Sequence, residues 1–189
     1  LESLRDRVPG ADVAAVALDV ASLDSVRDAA DVLGGLGPID VLVNNAGKTS
    51  GSRHREQTAD GFEIMVGTNA LGPFALTALL WPALAVNARV VGLGSLSTVL
   101  ARADLTDLQS ERGRYSLARA YALSKHAVHA FAFELDRRLR AAGSQRMSLL
   151  AHPGWAVDGN ASHRAGVPDL AGVGLLLGKR LIRPFAHGK

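Results

Sequence analysis

The sequence predicts an α/β fold with a doubly wound parallel sheet. Two observations carry that expectation: apolar runs of strand length alternate with segments of helical period, and each run ends on a polar or turn-forming group. Four strands are expected, at Val13–Leu18, Val41–Val43, Val90–Leu93 and Met147–Ala151. Each is nearly continuous in apolar side chains, the mark of parallel strands buried on both faces, so helices are expected on both sides of the sheet.

Between the first two strands, Ser22 is placed to cap a helix with Val26, Ala29, Ala30 and Leu33 as its apolar stripe, and Gly34, Gly35, Gly37 and Pro38 stop it. A second helical segment is expected from Thr58 to about Leu84, with Phe62, Met65, Val66 and Asn69 on one face. Gly72-Pro73 kinks it, because proline has no N–H for the carbonyl four residues back, here that of Asn69. A third helix is expected from about Ser116 to Leu139, with Leu117, Tyr121, Val128, Ala132 and Leu135 recurring at three- and four-residue spacing and Gly143 at its end. Past Gly154 the chain turns Gly-, Ala- and Leu-rich, and neither a repeat nor a second domain is visible, so residues 1–189 are expected to form one unit.

Composition narrows the functional classes. Lys and Arg outnumber Asp and Glu by only 21 to 18, and no basic run follows one helix, so a nucleic-acid partner is not expected. Cysteine is absent, which excludes a disulfide scaffold and thiolate metal sites and agrees with a cytoplasmic setting. The longest apolar stretch, Ala70 to Val91, is broken by Gly72, Pro73, Pro82, Asn87 and Arg89, and reads as a buried helix followed by a strand, not a membrane span. The chain starts at Leu1 with no signal-peptide pattern ahead of the first strand, so further sequence upstream is expected.

The strand ends collect the polar residues: Asp19, the run Asn44-Asn45-Ala46-Gly47, Ser95, and Pro153-Gly154. In open parallel sheets this carboxyl edge is where ligands bind. The tract YALSK puts Tyr121 and Lys125 one helical turn apart on one face. An ammonium beside a phenol favours the phenolate, which suits the phenol to acid–base work at neutral pH. An ordinary amphipathic pair would have the same spacing. For Ser95, capping of the following turn competes with catalysis, and for Asp19, an N-terminal acid beside Ser22 competes with ligand contact.

With these motifs in this order, the chain resembles the classical short-chain dehydrogenase/reductase family, and the stretches Thr58–Glu63 and Ser97–Arg114 are most similar to its retinol dehydrogenase-like branch. The resemblance implies a Rossmann-type doubly wound sheet, here incomplete at both ends, and an NAD or NADP cofactor. Asn44–Gly47 stands for the family's NNAG turn, so Asn45, Ala46 and Gly47 adjoin the adenosine half of the cofactor, and Asp19-Val20 occupies the adenine-binding position. Asn69 matches the residue whose backbone carbonyl holds a relay water. Ser95, Tyr121 and Lys125 match the catalytic serine and the YxxxK pair, and Pro153, Gly154 and Trp155 fall where the family meets the nicotinamide.

The resemblance further implies hydride transfer between an alcohol and a ketone or aldehyde, with an apolar small-molecule substrate suggested by Val99, Leu100, Leu105 and Leu108. Homo-oligomer formation is left open. The family's TGxxxGxG loop is not in this sequence, and Asp158 stands where a threonine is usual. Two other readings remain, an epimerase or dehydratase of the extended branch and a non-catalytic NAD(P)-binding sensor or scaffold. His126 and His129 have helical ligand spacing but no completing set, so packing or surface roles and no metal are expected, and His152 is expected to fill the sheet rim.

Overall fold

The computed structural model describes Asp6, residues 8–101 and residues 104–152, all within one compact unit. Its elements are α1 (Leu23–Gly34), β1 (Ile39–Asn44), α2 (Ile64–Val66), a π-helical turn (Gly67–Leu71), α3 (Gly72–Leu79), a 3-10 turn (Trp81–Ala83), β2 (Leu84–Leu93), α4 (Ser97–Leu100), a second 3-10 turn (Leu105–Asp107), α5 (Leu117–Ala141) and β3 (Met147–Ala151). Expected residues 13–18, 153–155 and 158 fare differently from the rest: the first segment is described but forms no strand, and Pro153, Gly154, Trp155 and Asp158 lie outside the described residues.

The sheet is parallel, in the order β1-β2-β3, with Val43 beside Val91 and Val91 beside Leu149. β3 coincides with the expected strand, while β1 and β2 extend beyond the expected Val41–Val43 and Val90–Leu93. The Val13–Leu18 expectation is corrected: a strand exists only as part of a ladder. In a doubly wound sheet of order 3-2-1-4-5-6, the strand before such a crossover helix is third, three places from the next one in sequence, and so does not pair with it. Residues 13–18 accordingly join no ladder with β1, β2 or β3.

Ser22 caps α1 as expected, its hydroxyl accepting from the Ser25 N–H at 3.3 Å, and Asp60 accepts from the Leu23 N–H at 2.9 Å from another loop. Val26 and Ala30 of α1 pack with Leu76 and Leu80, and against Leu42 of β1. A second apolar cluster joins Leu84, Ala88 and Val90 of β2 to Leu42 and to Leu135 of α5. Ser148 of β3 donates to the Ala132 carbonyl of α5 at 2.9 Å. Helices α1, α3 and α5 therefore share one face of the sheet.

On the opposite face Val41, Val43 and Leu149 are 50%, 53% and 40% exposed among the described residues. Right-handed crossovers that step from β1 to β2 to β3 in one direction return every helix to the same side.

The second helical segment starts at Ile64 and not at Thr58. Residues 58–62 instead form a tight turn, in which the Thr58 N–H donates to the Phe62 carbonyl at 2.8 Å and Gly61 has φ +83°. The kink expected at Gly72-Pro73 is a π turn, with the Gly72 N–H reaching the Gly67 carbonyl five residues back. Glycine is required at 72 because a Cβ there would lie 1.9 Å from the Val20 carbonyl oxygen. That close approach seats Asp19-Val20 against the head of α3.

Candidate active site

Ser116 opens α5 by accepting from the Arg119 N–H, and 25 residues of unbroken helix follow. Tyr121 and Lys125 sit one turn apart, with the Lys125 Nζ 5.9 Å from the centre of the Tyr121 ring. The same Nζ donates to the Leu93 carbonyl at 2.9 Å, which ties this part of α5 to the carboxyl end of β2, two residues before Ser95. Lys125 is half-buried, and loss of solvation lowers its pKa from the ordinary lysine value. An ammonium has three N–H donors, and the Leu93 bond uses one.

Ser95 takes up the turn-capping role weighed against catalysis: its Oγ accepts from the Ser97 N–H at 3.2 Å, and its carbonyl accepts from the Thr98 hydroxyl at 2.8 Å. An accepting hydroxyl still has its own proton to give, so capping and catalysis are compatible here.

Asn69 is buried, and its side chain works as a two-way clasp. Its Oδ1 accepts from the Lys48 N–H at 2.6 Å, and its Nδ2 donates to the Lys48 carbonyl and to the Ser124 hydroxyl, each at 2.9 Å. Ser124 in turn donates to the Tyr121 carbonyl at 2.7 Å. The side chain of Asn69 thus positions both the segment after β1 and the turn of α5 that carries Tyr121. Its backbone carbonyl, the group expected to hold a water, loses its α-helical donor to Pro73.

The Asn44–Gly47 turn lies in the same place. Asn44 donates to the Thr77 hydroxyl at 3.0 Å, the Asn45 N–H donates to the Val43 carbonyl at 3.0 Å, and a Cβ on Gly47 would come within 2.9 Å of Asn69 Oδ1. Ala46, Asn69, Gly92, Leu93 and Lys125 line one small cavity below the rim. Tyr121, Lys125, Asn69, the NNAG turn and the approach to Ser95 are therefore gathered at one edge.

Asp19 adopts the role that competed with ligand contact: its Oδ1 accepts from the Ala21 N–H at 2.9 Å and its N–H donates to Ser25 Oγ at 2.9 Å, ahead of α1. Its side chain is exposed, so ligand contact is not blocked.

A second cluster had no place in the expectations. Glu63 is fully buried; its Oε2 accepts from the Val66 N–H at 2.9 Å and its Oε1 accepts from the Tyr115 hydroxyl at 2.8 Å. Gln109 Oε1 accepts from the Glu63 N–H at 2.8 Å, and Arg55 Nε donates to the Gln109 carbonyl at 2.7 Å. Burial first, then the Glu63 hydrogen bond, push the Tyr115 pKa well above its ordinary value. The available signal was an acid at the start of the apolar run Ile64–Val66, a position that favours helix N-termini.

His126 Nε2 lies 2.9 Å from the Ala101 carbonyl, and burial lowers the His129 pKa. Among the described residues no group of His, Asp or Glu is arranged to hold a metal ion.

The sheet with its crossover helices and polar carboxyl rim defines a Rossmann-type α/β protein, and comparison with known proteins narrows the class. Residues 1–149 match the family described as short chain dehydrogenase. The chain is 44% identical over 156 residues to mouse polyprenol dehydrogenase, covering 79% of this chain and 45% of that protein. It is 40% identical over 142 residues to human retinol dehydrogenase 13, covering 74% and 42%. An uncharacterised Mycobacterium paratuberculosis protein of known crystal structure has 42% identity and a TM-score of 0.70, covering 85% of this chain and 57% of that one. A blue fluorescent protein from a metagenomic library, crystallised with NADPH, has 27% identity and a TM-score of 0.53, covering 71% and 49%.

The chain belongs to the short-chain dehydrogenase family, on its retinol dehydrogenase-like branch. It spans less than half the length of these curated relatives.

Proposed function

We propose that the complete protein is an NAD(P)-dependent oxidoreductase that interconverts an alcohol and a ketone or aldehyde, with Tyr121 as general acid and base. The observation that carries this reading is Lys125, whose ammonium lies beside the Tyr121 ring while anchored on the Leu93 carbonyl at the strand end that leads to Ser95. Its remaining N–H donors suit ribose hydroxyls, so the nicotinamide half of a cofactor fits the residues present. The phosphate half would need the glycine-rich loop that this sequence does not contain.

A bound nicotinamide supplies the hydride chemistry. Tyr121 gives or takes the proton at the substrate oxygen, and Lys125 favours the tyrosinate and holds the ribose. Ser95 donates to the same substrate oxygen and steadies its developing charge. The Asn69 carbonyl anchors a water behind this relay, and Asp19, Val20, Asn45, Ala46 and Gly47 face the adenosine half. Exposed Val99 and Leu105 after Ser95 favour an apolar substrate. A cytoplasmic location is part of the same reading.

The test uses the complete protein, NADH and NADPH, and a panel of straight-chain aldehydes and ketones, with cofactor oxidation followed by absorbance. Tyr121→Phe is expected to lower turnover by roughly two to four orders of magnitude, the scale of a lost general acid. Unchanged turnover in that variant refutes the mechanism, and cofactor binding with no oxidation favours a redox sensor.

A further inference from the structure

Residues 104–116, ahead of α5, form a segment whose shape its own sequence does not favour. Ser110 is buried and has φ 49°, the left-handed region in which a residue with a side chain is strained. Such a conformation persists only where neighbours over-determine it, and here the neighbours are identifiable. On one side of Ser110, the Gln109 side chain accepts from the Glu63 N–H and the Gln109 carbonyl accepts from Arg55. Five residues further on, Tyr115 is tied to the Glu63 carboxylate immediately before the Ser116 cap of α5. Glu63 thus holds both ends of residues 109–115 from a fully buried position.

The same residue begins the segment that leads to Asn69. Its other carboxylate oxygen caps α2, and the π turn that follows carries Asn69, which reaches the Tyr121 turn through Ser124. Two hydrogen-bonded routes therefore connect Glu63 to the part of α5 that bears Tyr121. One runs across the loop to the start of that helix, and the other runs along its own helix to the fourth residue after Leu117.

We propose that Glu63 is a positioning residue: through Tyr115 and Gln109 it clamps the 104–116 segment and the start of α5, and so sets where the substrate-facing segment and Tyr121 stand relative to each other. This rests on the oxidoreductase reading above for its kinetic consequence and on geometry alone for the clamp. Glu63 and Tyr115 touch neither cofactor nor reacting atoms in this account. A glutamine at 63 can keep the arrangement, since its amide oxygen can accept from the Val66 N–H while its NH2 donates to the Tyr115 oxygen. An alanine cannot.

The experiment compares the complete wild-type protein with Tyr115→Phe, Gln109→Ala, Glu63→Ala and Glu63→Gln, reading amide hydrogen exchange by peptide and steady-state reduction of decanal by NADPH. In Tyr115→Phe and Gln109→Ala, exchange across 104–116 is expected to quicken about tenfold while 23–34 and 147–151 keep wild-type rates, which separates loss of the clamp from loss of the fold. kcat/KM for decanal is expected to fall about tenfold with NADPH affinity within about twofold of wild type, a change of about 1.4 kcal/mol in the barrier. Glu63→Gln is expected to restore most of what Glu63→Ala loses. Wild-type exchange across 104–116 in both milder variants overturns the clamp, and faster exchange with unchanged kcat/KM overturns the positioning role. If the wild-type protein oxidises neither NADPH nor NADH with any carbonyl, the oxidoreductase reading fails, and the exchange comparison alone then upholds or overturns the clamp.

Discussion

At its N-terminal end α5 holds one half-buried ammonium, Lys125, with a backbone carbonyl as its hydrogen-bond partner and an aromatic ring beside it. At its C-terminal end the same helix carries Glu134 with Arg137 and Arg138, and Asp136 with Arg140, the arginines exposed and the carboxylates half-exposed. Close ion pairs at the second end satisfy charge locally and are screened by water. At the first end a charge with no ion pair among the described residues is kept near a phenol, with its solvation partly stripped away. The contrast separates charge used for solubility and helix support from charge held where it can act on a neighbour.

The sharpest way to break the comparison is at Lys125. Lys125→Met is expected to lower turnover by about two to three orders of magnitude, the scale of one lost electrostatic stabiliser. Stability should change little, because losing the bond to Leu93 is offset by removing a cation that burial disfavours. Urea unfolding and carbonyl reduction on the same preparations read both effects, and a variant as active as the wild type removes Lys125 from the mechanism.

The pH dependence sharpens the same point with opposite signs. Burial lowers the Lys125 pKa, so between that lowered value and the ordinary 10.5 the unfolded chain binds a proton that the folded chain has released. Stability contributed by this group therefore rises with pH across that window. A rate that needs the ammonium falls across the same window. Rate and stability profiles that move together on the alkaline side would contradict the assignment.

Much of this end of α5 was legible in the sequence because its geometry is local. A Tyr and a Lys four residues apart share a helix face in any helix, and the Ser116 cap and the apolar spacing define that helix. β3 was equally legible, being a short apolar run with clear limits. The Glu63–Tyr115 contact was not, since it joins residues 52 positions apart and neither side chain announces its partner. The side of the sheet on which α1, α3 and α5 lie was illegible for a related reason, since only the direction of successive crossovers decides which face receives them. Residues 13–18 have strand composition but join no ladder with β1, β2 or β3, and a one-dimensional pattern does not express pairing.

A smaller effect is expected at Ser124, the link between Asn69 and the Tyr121 carbonyl. Ser124→Ala leaves one buried Asn69 N–H without an acceptor, because the other still reaches Lys48. The cost is about 1 to 3 kcal/mol of stability, the usual range for a buried donor left unpaired. Chemical denaturation measures it. A loss of turnover larger than that of Lys125→Met would mean that the Tyr121 turn depends more on this link than on the cation beside it.

The smallest effect is expected at the other end of the helix. Hydrogen bonds from Arg137 and then Arg138 hold the Glu134 pKa down at about 2, below its ordinary 4.5. With the folded value depressed, the pair contributes stability above the ordinary carboxylate range and loses it as pH falls from there toward about 2. Glu134→Gln removes that contribution, so the difference in Tm between variant and wild type should be greatest near neutrality and shrink as acid is added. It should also shrink in about 1 M salt, where screening acts over roughly 3 Å. Turnover should not change, because no hydrogen bond of Glu134 leads toward Tyr121 or Lys125. A difference in Tm that survives both acid and salt would mean that the exposed end of α5 is held by packing of the Glu134 stem and not by its charge, and the two ends would then differ less than their ion pairs suggest.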